Sequence, residues 1–288
     1  MFEVDAIAAL PCKTLAHGYR RQAGGMSLHA AIAAARLGAS VRLLGRVGDD
    51  AAADFLRQRL SAEGVEARGL ERVAGTATSL ASVIVDAQGA RQIYVYRGDA
   101  LQRAHALDLR QLEGADVVLA DMRWPDGAAA ALQWARAHGV PSLLDADVAP
   151  LPVTERLLPL TRWVAFSEPG LALWAQGRER DAALAAACEQ GPELALVTLG
   201  ADGARWCVAG DRAAVHAVPA LRVQAIDTTA AGDVFHAALA LALVAQAQTI
   251  DGAVRWACAA ASYKCERGFG SEGAPTRQQL DAWLRMRG

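Results

Sequence analysis

The stretch "DTTAAGDVFHAALALAL", Asp227–Leu243, sets a carboxylate, Asp233, directly after a run of residues with almost no side chains, and a long apolar helical pattern begins at once. Small residues let backbone N–H groups crowd around an anion, and a helix start adds a partial positive charge to hold it. An acid at that point stands beside the anion as a base. The competing explanation is local, because Asp in a first helical turn also favours the helix itself. The neighbouring segments have to decide between the two.

Working outward, short apolar runs alternate with amphipathic helical patterns. Ser27–Leu37 and Ala51–Glu63 read as helices, and Val41–Val47 reads as a strand. Two alternating strands follow, Ser79–Asp86 and Gln92–Arg97, joined by the turn residues "AQGA". Val117–Ala120, Ser142–Leu144, Trp163–Phe166 and Leu194–Leu199 are strand-like and separated by helical segments. This order predicts an α/β fold whose mostly parallel central sheet is flanked by helices, with a small β lid outside the alternation. We read a single domain over residues 1–288, with lid segments at about 5–22 and 76–98. In open α/β sheets ligands bind beyond the carboxyl ends of the strands. Asp121 and Arg123, Asp145 and Asp147, Ser167 and Glu168, and Gly200 and Gly203 fall at such ends.

Composition excludes several classes. The 288 residues are 53% hydrophobic with a formal net charge of −2, and the charges are mixed along the chain, so no basic stripe for nucleic acid is present. The most apolar helical run, Val234 to about Gln246, is too short to span a membrane and carries His236. Five cysteines without metal-ligand spacing predict neither a zinc site nor a disulfide framework, and reduced thiols predict a cytoplasmic protein. No charged segment followed by an apolar core opens the chain as a secretory signal would. "AGGMSLHAAIAAARLGA" (Ala23–Ala39) puts Gly24 and Gly25 ahead of an Ala-rich helix, where close backbone approach suits a small polar ligand or merely a turn. "VTLGADGA" (Val197–Ala204) reads by itself as a hairpin. Neither stretch is GxxxxGK[ST] or GxGxxG, which disfavours P-loop ATPases and dinucleotide dehydrogenases.

Together these motifs resemble the ribokinase, or PfkB-type, carbohydrate kinases. "DTTAAGDVFHAALA" is similar to that family's DTxGAGD signature, and "AGGMSLHAAIAAARLGASVRLLGRVGDD" to its amino-terminal GG signature. Within the family the likeness is to the sulfofructose kinase subgroup, carried by "VVLADMRWPDGA", "LLDADVAP", "VAFSEPGLA" and "ASYKCERGFGSEGAP".

The resemblance implies an ATP-dependent kinase in which Asp233 is the general base. The N–H groups of Ala230, Ala231 and Gly232 would form the anion hole for the transferring phosphoryl group. Ala230 stands where the family usually has Gly, a change tolerable at negative φ and costly at positive φ. By the same likeness ATP would lie along Thr198, Gly200 and Gly203, with Thr228 near the phosphates and Ala257, Ala260 and Gly268 near the adenine. Asp227 and Thr229 match positions that bind a monovalent cation such as K+ in some relatives. Magnesium would accompany ATP. The usual NxxE motif is replaced by "SEPG", with Ser167 for the Asn and Gly170 for the Glu, leaving Glu168 as its substitute.

The sugar would sit between Gly24, Gly25 and the lid, facing Asp233. Lys13, Arg97 and Arg123 would bind an anionic group on it, since arginine offers a bidentate fork to such groups. The resemblance also implies a homodimer built through the lid. It further places a strand and a substrate-binding Asp just before "MFEVDAIAALPCK", for which Asp5 comes too late, so we expect either a start upstream of Met1 or a version without that strand. The rival readings are a nucleoside kinase of the same family and a catalytically impaired sugar- or nucleotide-binding relative.

Overall fold

The computed structural model describes residues 1–7, 13–88, 90–103, 106–211, 215–245 and 249–287. In chain order the elements are β1 (Phe2–Glu3), β2 (Gly18–Tyr19), α1 (Met26–Arg36), β3 (Gly45–Gly48), α2 (Ala51–Ala62), β4 (Leu70–Val73), β5 (Leu80–Val85), β6 (Arg91–Tyr96) and α3 (Asp99–Gln102). They continue as β7 (Val118–Asp121), α4 (Pro125–Ala137), β8 (Ser142–Ala146), α5 (Leu151–Leu157), β9 (Trp163–Ser167), α6 (Glu168–Ala175), α7 (Arg180–Glu189), β10 (Leu194–Thr198), β11 (Ala204–Val208) and β12 (His216–Val218). Helices α8 (Ala231–Val244), α9 (Ile250–Arg267) and α10 (Arg277–Arg285) complete the order.

The main sheet runs β12-β11-β10-β9-β8-β7. Strands β7 to β10 are parallel to their neighbours, whereas β11 and β12 are antiparallel additions. Successive residues of one strand enter opposite cores, as the period of two requires. Leu143, Ala165 and Leu196 face the layer of α1, α8 and α9, while Leu144, Val164 and Val197 face α4, α6 and α7. Alanines dominate both helix surfaces, so α8 and α9 approach closely along Ala237, Ala240, Ala257 and Ala260. Strands β3 and β4 pair in parallel as a sheet of their own.

A third sheet, β2-β1-β5-β6, forms the lid. Its first strand, Phe2–Glu3, lies ahead of the lid boundary expected at residue 5. The strand expected over Val41–Val47 is confined to Gly45–Gly48, because Arg42 joins only an isolated bridge to Glu66 and sends its guanidinium to Gln111 O and Glu113 O. "VTLGADGA" is a hairpin between β10 and β11, as read. Asp50 caps α2 by accepting from Ala53 N, and its other oxygen accepts from Thr78 N at 2.8 Å. That residue therefore ties the base of the lid to the sheet. Cys12 and Gln246 lie outside the described residues, and Cys188, Cys207, Cys258 and Cys265 are free thiols.

Candidate active site

Helices α2, α6, α7, α9 and α10 begin under a side-chain cap, from Asp50, Ser167, Glu179, Thr249 and Thr276. Helix α8, like α1 and α4, has none. Its cap position is Ala230, in the left-handed region at φ 66°, with no side-chain hydrogen bond. The N–H of Ala231 closes a turn onto Thr228 O at 3.2 Å. Those of Ala230 and Gly232 have no hydrogen-bond partner among the described residues. A Cβ added at Gly232 would meet only the His236 ring, at 3.9 Å, so the space over these donors is open. Free N–H groups, an open approach and a helix start together can receive an anion.

Asp233 follows in the first turn of α8. Burial pushes its carboxyl well above the ordinary carboxylate range, and the charges of Asp145, Asp121 and Asp147 push the same way against Arg123. These are the residues at the ends of β8 and β7, as the sequence reading expected of strand ends. Asp121 Oδ2 accepts from Ser27 N at 3.1 Å and from Ser27 Oγ, while its Oδ1 accepts from Arg123 N at 2.7 Å. Burial nevertheless raises the Asp121 carboxyl too. The pair fixes the start of α1, where Gly25 holds φ 121°, against the end of β7. Gly24 is equally open, with only His29 Nε2 at 3.8 Å from an added Cβ.

Arg123 is brought to this centre, but its fork is already occupied. Nη2 donates to Asp147 Oδ2 at 2.5 Å, Nη1 to Val148 O at 2.9 Å, and Nε points to Met26 Sδ at 3.0 Å. Asp147 in turn accepts from Ser167 Oγ at 2.8 Å. Lys13 and Arg97 are exposed, and no contact described in the structure joins them to Arg123 or Asp233.

Gly170 explains the altered NxxE motif. A Cβ there would come within 2.5 Å of Ala146 O, so the close packing of α6 on β8 admits no side chain. Glu168 is half-exposed and accepts from Arg180 Nη2 at 2.6 Å. Among the described residues no group of three or more His, Cys, Asp or Glu is placed to hold a metal ion.

Among the residues expected to meet the nucleotide, Thr198 terminates β10 and Gly200 holds φ 56° with nothing within 4 Å of an added Cβ. Gly203 serves packing, since a Cβ would lie 2.0 Å from Val218 O. Thr228 is exposed beside the anion site. Gly268 ends α9 against Gly273. Ala257 and Ala260 are fully buried in the core against α8, which keeps their side chains from any ligand.

Three residues escaped the sequence reading. His236, on α8, has Nδ1 2.9 Å from Asp145 Oδ2, with both side chains buried. Lys264 reaches Asp227, and His29 lies behind it. Lys264 shares a helical face with Ala257 and Ala260 at i, i+3 and i+7, a buried stripe that signals an inward-pointing lysine.

An open helix start beside a buried carboxyl near the ends of parallel strands suits phosphoryl transfer in an α/β fold. More closely, the chain belongs to the pfkB family carbohydrate kinases, whose pattern matches residues 2–277. It is 32% identical over 267 residues to the ribokinase of Bacillus subtilis, covering 91% of this chain and 87% of that one. A candidate ribokinase from Agrobacterium tumefaciens superposes with a TM-score of 0.92 at 34% identity, over 99% of this chain and 94% of the other. The fold is also that of Arabidopsis thaliana ribokinase, solved with ribose and ATP, at a TM-score of 0.86 and 23% identity over 99% and 94% of the two chains. The fold is therefore ribokinase-like.

Proposed function

We propose that this enzyme transfers the γ-phosphoryl group of ATP to a hydroxyl of a small neutral sugar, with ribose the first candidate. The observation that carries the reading is Asp233, placed next to open N–H donors and ringed by Asp145, Asp121 and Asp147. Asp233 takes the hydroxyl proton as the oxygen attacks phosphorus, and the N–H groups of Ala230 and Gly232 receive the charge of the transferring group. Carboxylates accept hydrogen bonds from sugar hydroxyls and repel an anionic substituent. Arg123, at this centre, is paired with Asp147. Thr198, Gly200 and Thr228 are the residues we assign to the nucleotide. Magnesium bound with ATP neutralises phosphate charge.

An anionic sugar is the second reading, favoured by the exposed Lys13 and Arg97 at the lid. The lid also supports a homodimer, because Tyr19, Leu80, Ile93, Tyr94, Val95 and Tyr96 are exposed on its strands. No helix among the described residues is long and apolar enough to cross a membrane, and we keep the cytoplasm as the proposed location. The test is ADP release from magnesium-ATP with ribose, an acidic sugar such as a sulfonated or carboxylated hexose, and a nucleoside. Turnover on ribose above both others supports the neutral-sugar reading, and preference for the acidic sugar or the nucleoside overturns it. Sedimentation of the wild type and of a Tyr94→Glu variant tests the dimer.

A further inference from the structure

Lys264 is 0% exposed, yet it ends in a charge. Its Nζ donates to Asp227 O at 2.7 Å and to Asp227 Oδ2 at 3.0 Å. The same carboxylate accepts from Gly270 N at 2.9 Å, Thr229 N at 3.1 Å and Thr229 Oγ1 at 2.7 Å. Burial opposes ionisation of Asp227, but these bonds outweigh it and bring the carboxyl down to about 2. His29, packed near Gly270, is lowered to about 4 by burial and by the charge of Lys264.

A buried ion pair is a poor way to stabilise an alanine-packed helix, since an apolar residue of like volume does as well or better. It does fix geometry. Asp227 opens the loop that ends at the anion site, and the ammonium holds that loop by a main-chain carbonyl and a carboxylate together. Carbonyl plus carboxylate oxygen is the ligand set of a monovalent cation, and an ammonium carries the same charge at a similar radius. The residues therefore do not fit a K+ ion at Asp227 and Thr229: the oxygens already serve a cation, and a second one would be repelled at close range.

We infer that the Lys264 ammonium stands in place of a dissociable monovalent cation, fixing the 227–232 loop so that the enzyme needs no added K+. Lys264 is thus a positioning residue that acts through Asp227 on the anion site. The inference rests on the kinase reading above, and its test separates the two.

Turnover and thermal melts of the whole chain are measured in potassium, sodium and choline chloride at one ionic strength. The wild type is expected to show the same kcat/KM and the same Tm in all three. Lys264→Ala is expected to lose about 10²-fold in turnover in choline, the scale of a displaced catalytic group. Potassium or ammonium should then restore several-fold activity and raise the Tm of that variant above its value in choline. A wild type activated several-fold by potassium, or melting higher in it than in sodium and choline, overturns the inference. So does a folded Lys264→Ala protein indifferent to the cation. If that variant does not fold, the wild-type comparison alone decides. A wild type that turns over no substrate in any salt defeats the kinase reading, while its melts still decide on the ammonium.

Discussion

Burial and, next to it, the charge of Asp145 at the end of β8 hold the carboxyl of Asp233 well above the ordinary carboxylate range. Such an acid keeps a proton in the folded chain that the unfolded chain has already lost. Stability therefore falls as pH rises from the unfolded value through the folded one, and stays lowered above it. Asp233→Asn removes the charge that burial disfavours. We expect it to melt higher than the wild type at pH 8 and to show little difference at acid pH. Turnover should fall by about 10²-fold or more, the range for loss of a general base. Paired melts and ADP-release rates decide this. A variant that keeps its turnover makes Asp233 a helix-start residue only.

Ala230 at φ 66° carries a methyl group in the left-handed region. The sequence left the cost of this alanine to its φ, and the positive value observed makes it the costly case. Left-handed geometry costs an L-residue about 1–2 kcal/mol, and glycine gives back part of the gain through its freer unfolded chain. Ala230→Gly is expected to stabilise the chain by about 0.5–1 kcal/mol with turnover retained. Ala230→Val should cost about 1–3 kcal/mol, because a β-branched residue is strained further there. Denaturant unfolding of both variants checks the pair, and a destabilised Ala230→Gly would contradict it.

His29 provides a pH test of the cluster behind the anion site. Its folded pKa of about 4 lies below the unfolded value near 6.5, through burial first and Lys264 second. The unfolded chain binds the extra proton between these values, so stability is lost as pH falls from about 6.5 towards 4. His29→Leu is expected to melt with a flatter pH dependence across that window. A slope unchanged by the substitution would place the titration elsewhere.

The parallel strands were legible because burial on both faces leaves continuous apolar runs, and Leu143–Leu144 and Val164–Ala165 serve two cores at once. Strands β1 and β2 were not, since two residues carry no pattern. Asp233 was readable from its bare neighbours, whereas Lys264 was not, because a lysine in a helix ordinarily marks the solvated face. Its spacing of four and seven residues from Ala260 and Ala257 hints at the inward face, and the bonds to Asp227 settle it. The expected adenine contacts of Ala257 and Ala260 failed for a related reason: in an alanine-rich helix the packed face and a ligand face look alike in sequence.

Arg123 yields the last prediction. Its guanidinium joins Asp147 and Val148 O, and it is the cation that acts against the raised pKa of Asp233. Removing it leaves the Asp147 carboxylate uncompensated beside three other acids. Arg123→Ala should therefore raise Asp233 further and move the acid limb of the kcat profile to higher pH, whereas Arg123→Lys restores much of the limb through its charge. The sugar readings separate in KM. With a neutral sugar, KM changes little between ribose and its analogues, because the arginine's hydrogen bonds go to the protein. With an acidic sugar, loss of a charge-assisted bond raises KM for that sugar alone by about 10-fold or more. An unmoved pH limb would show that Arg123 does not act on the base, and a selective rise in KM for the acidic sugar would replace ribose as the substrate class.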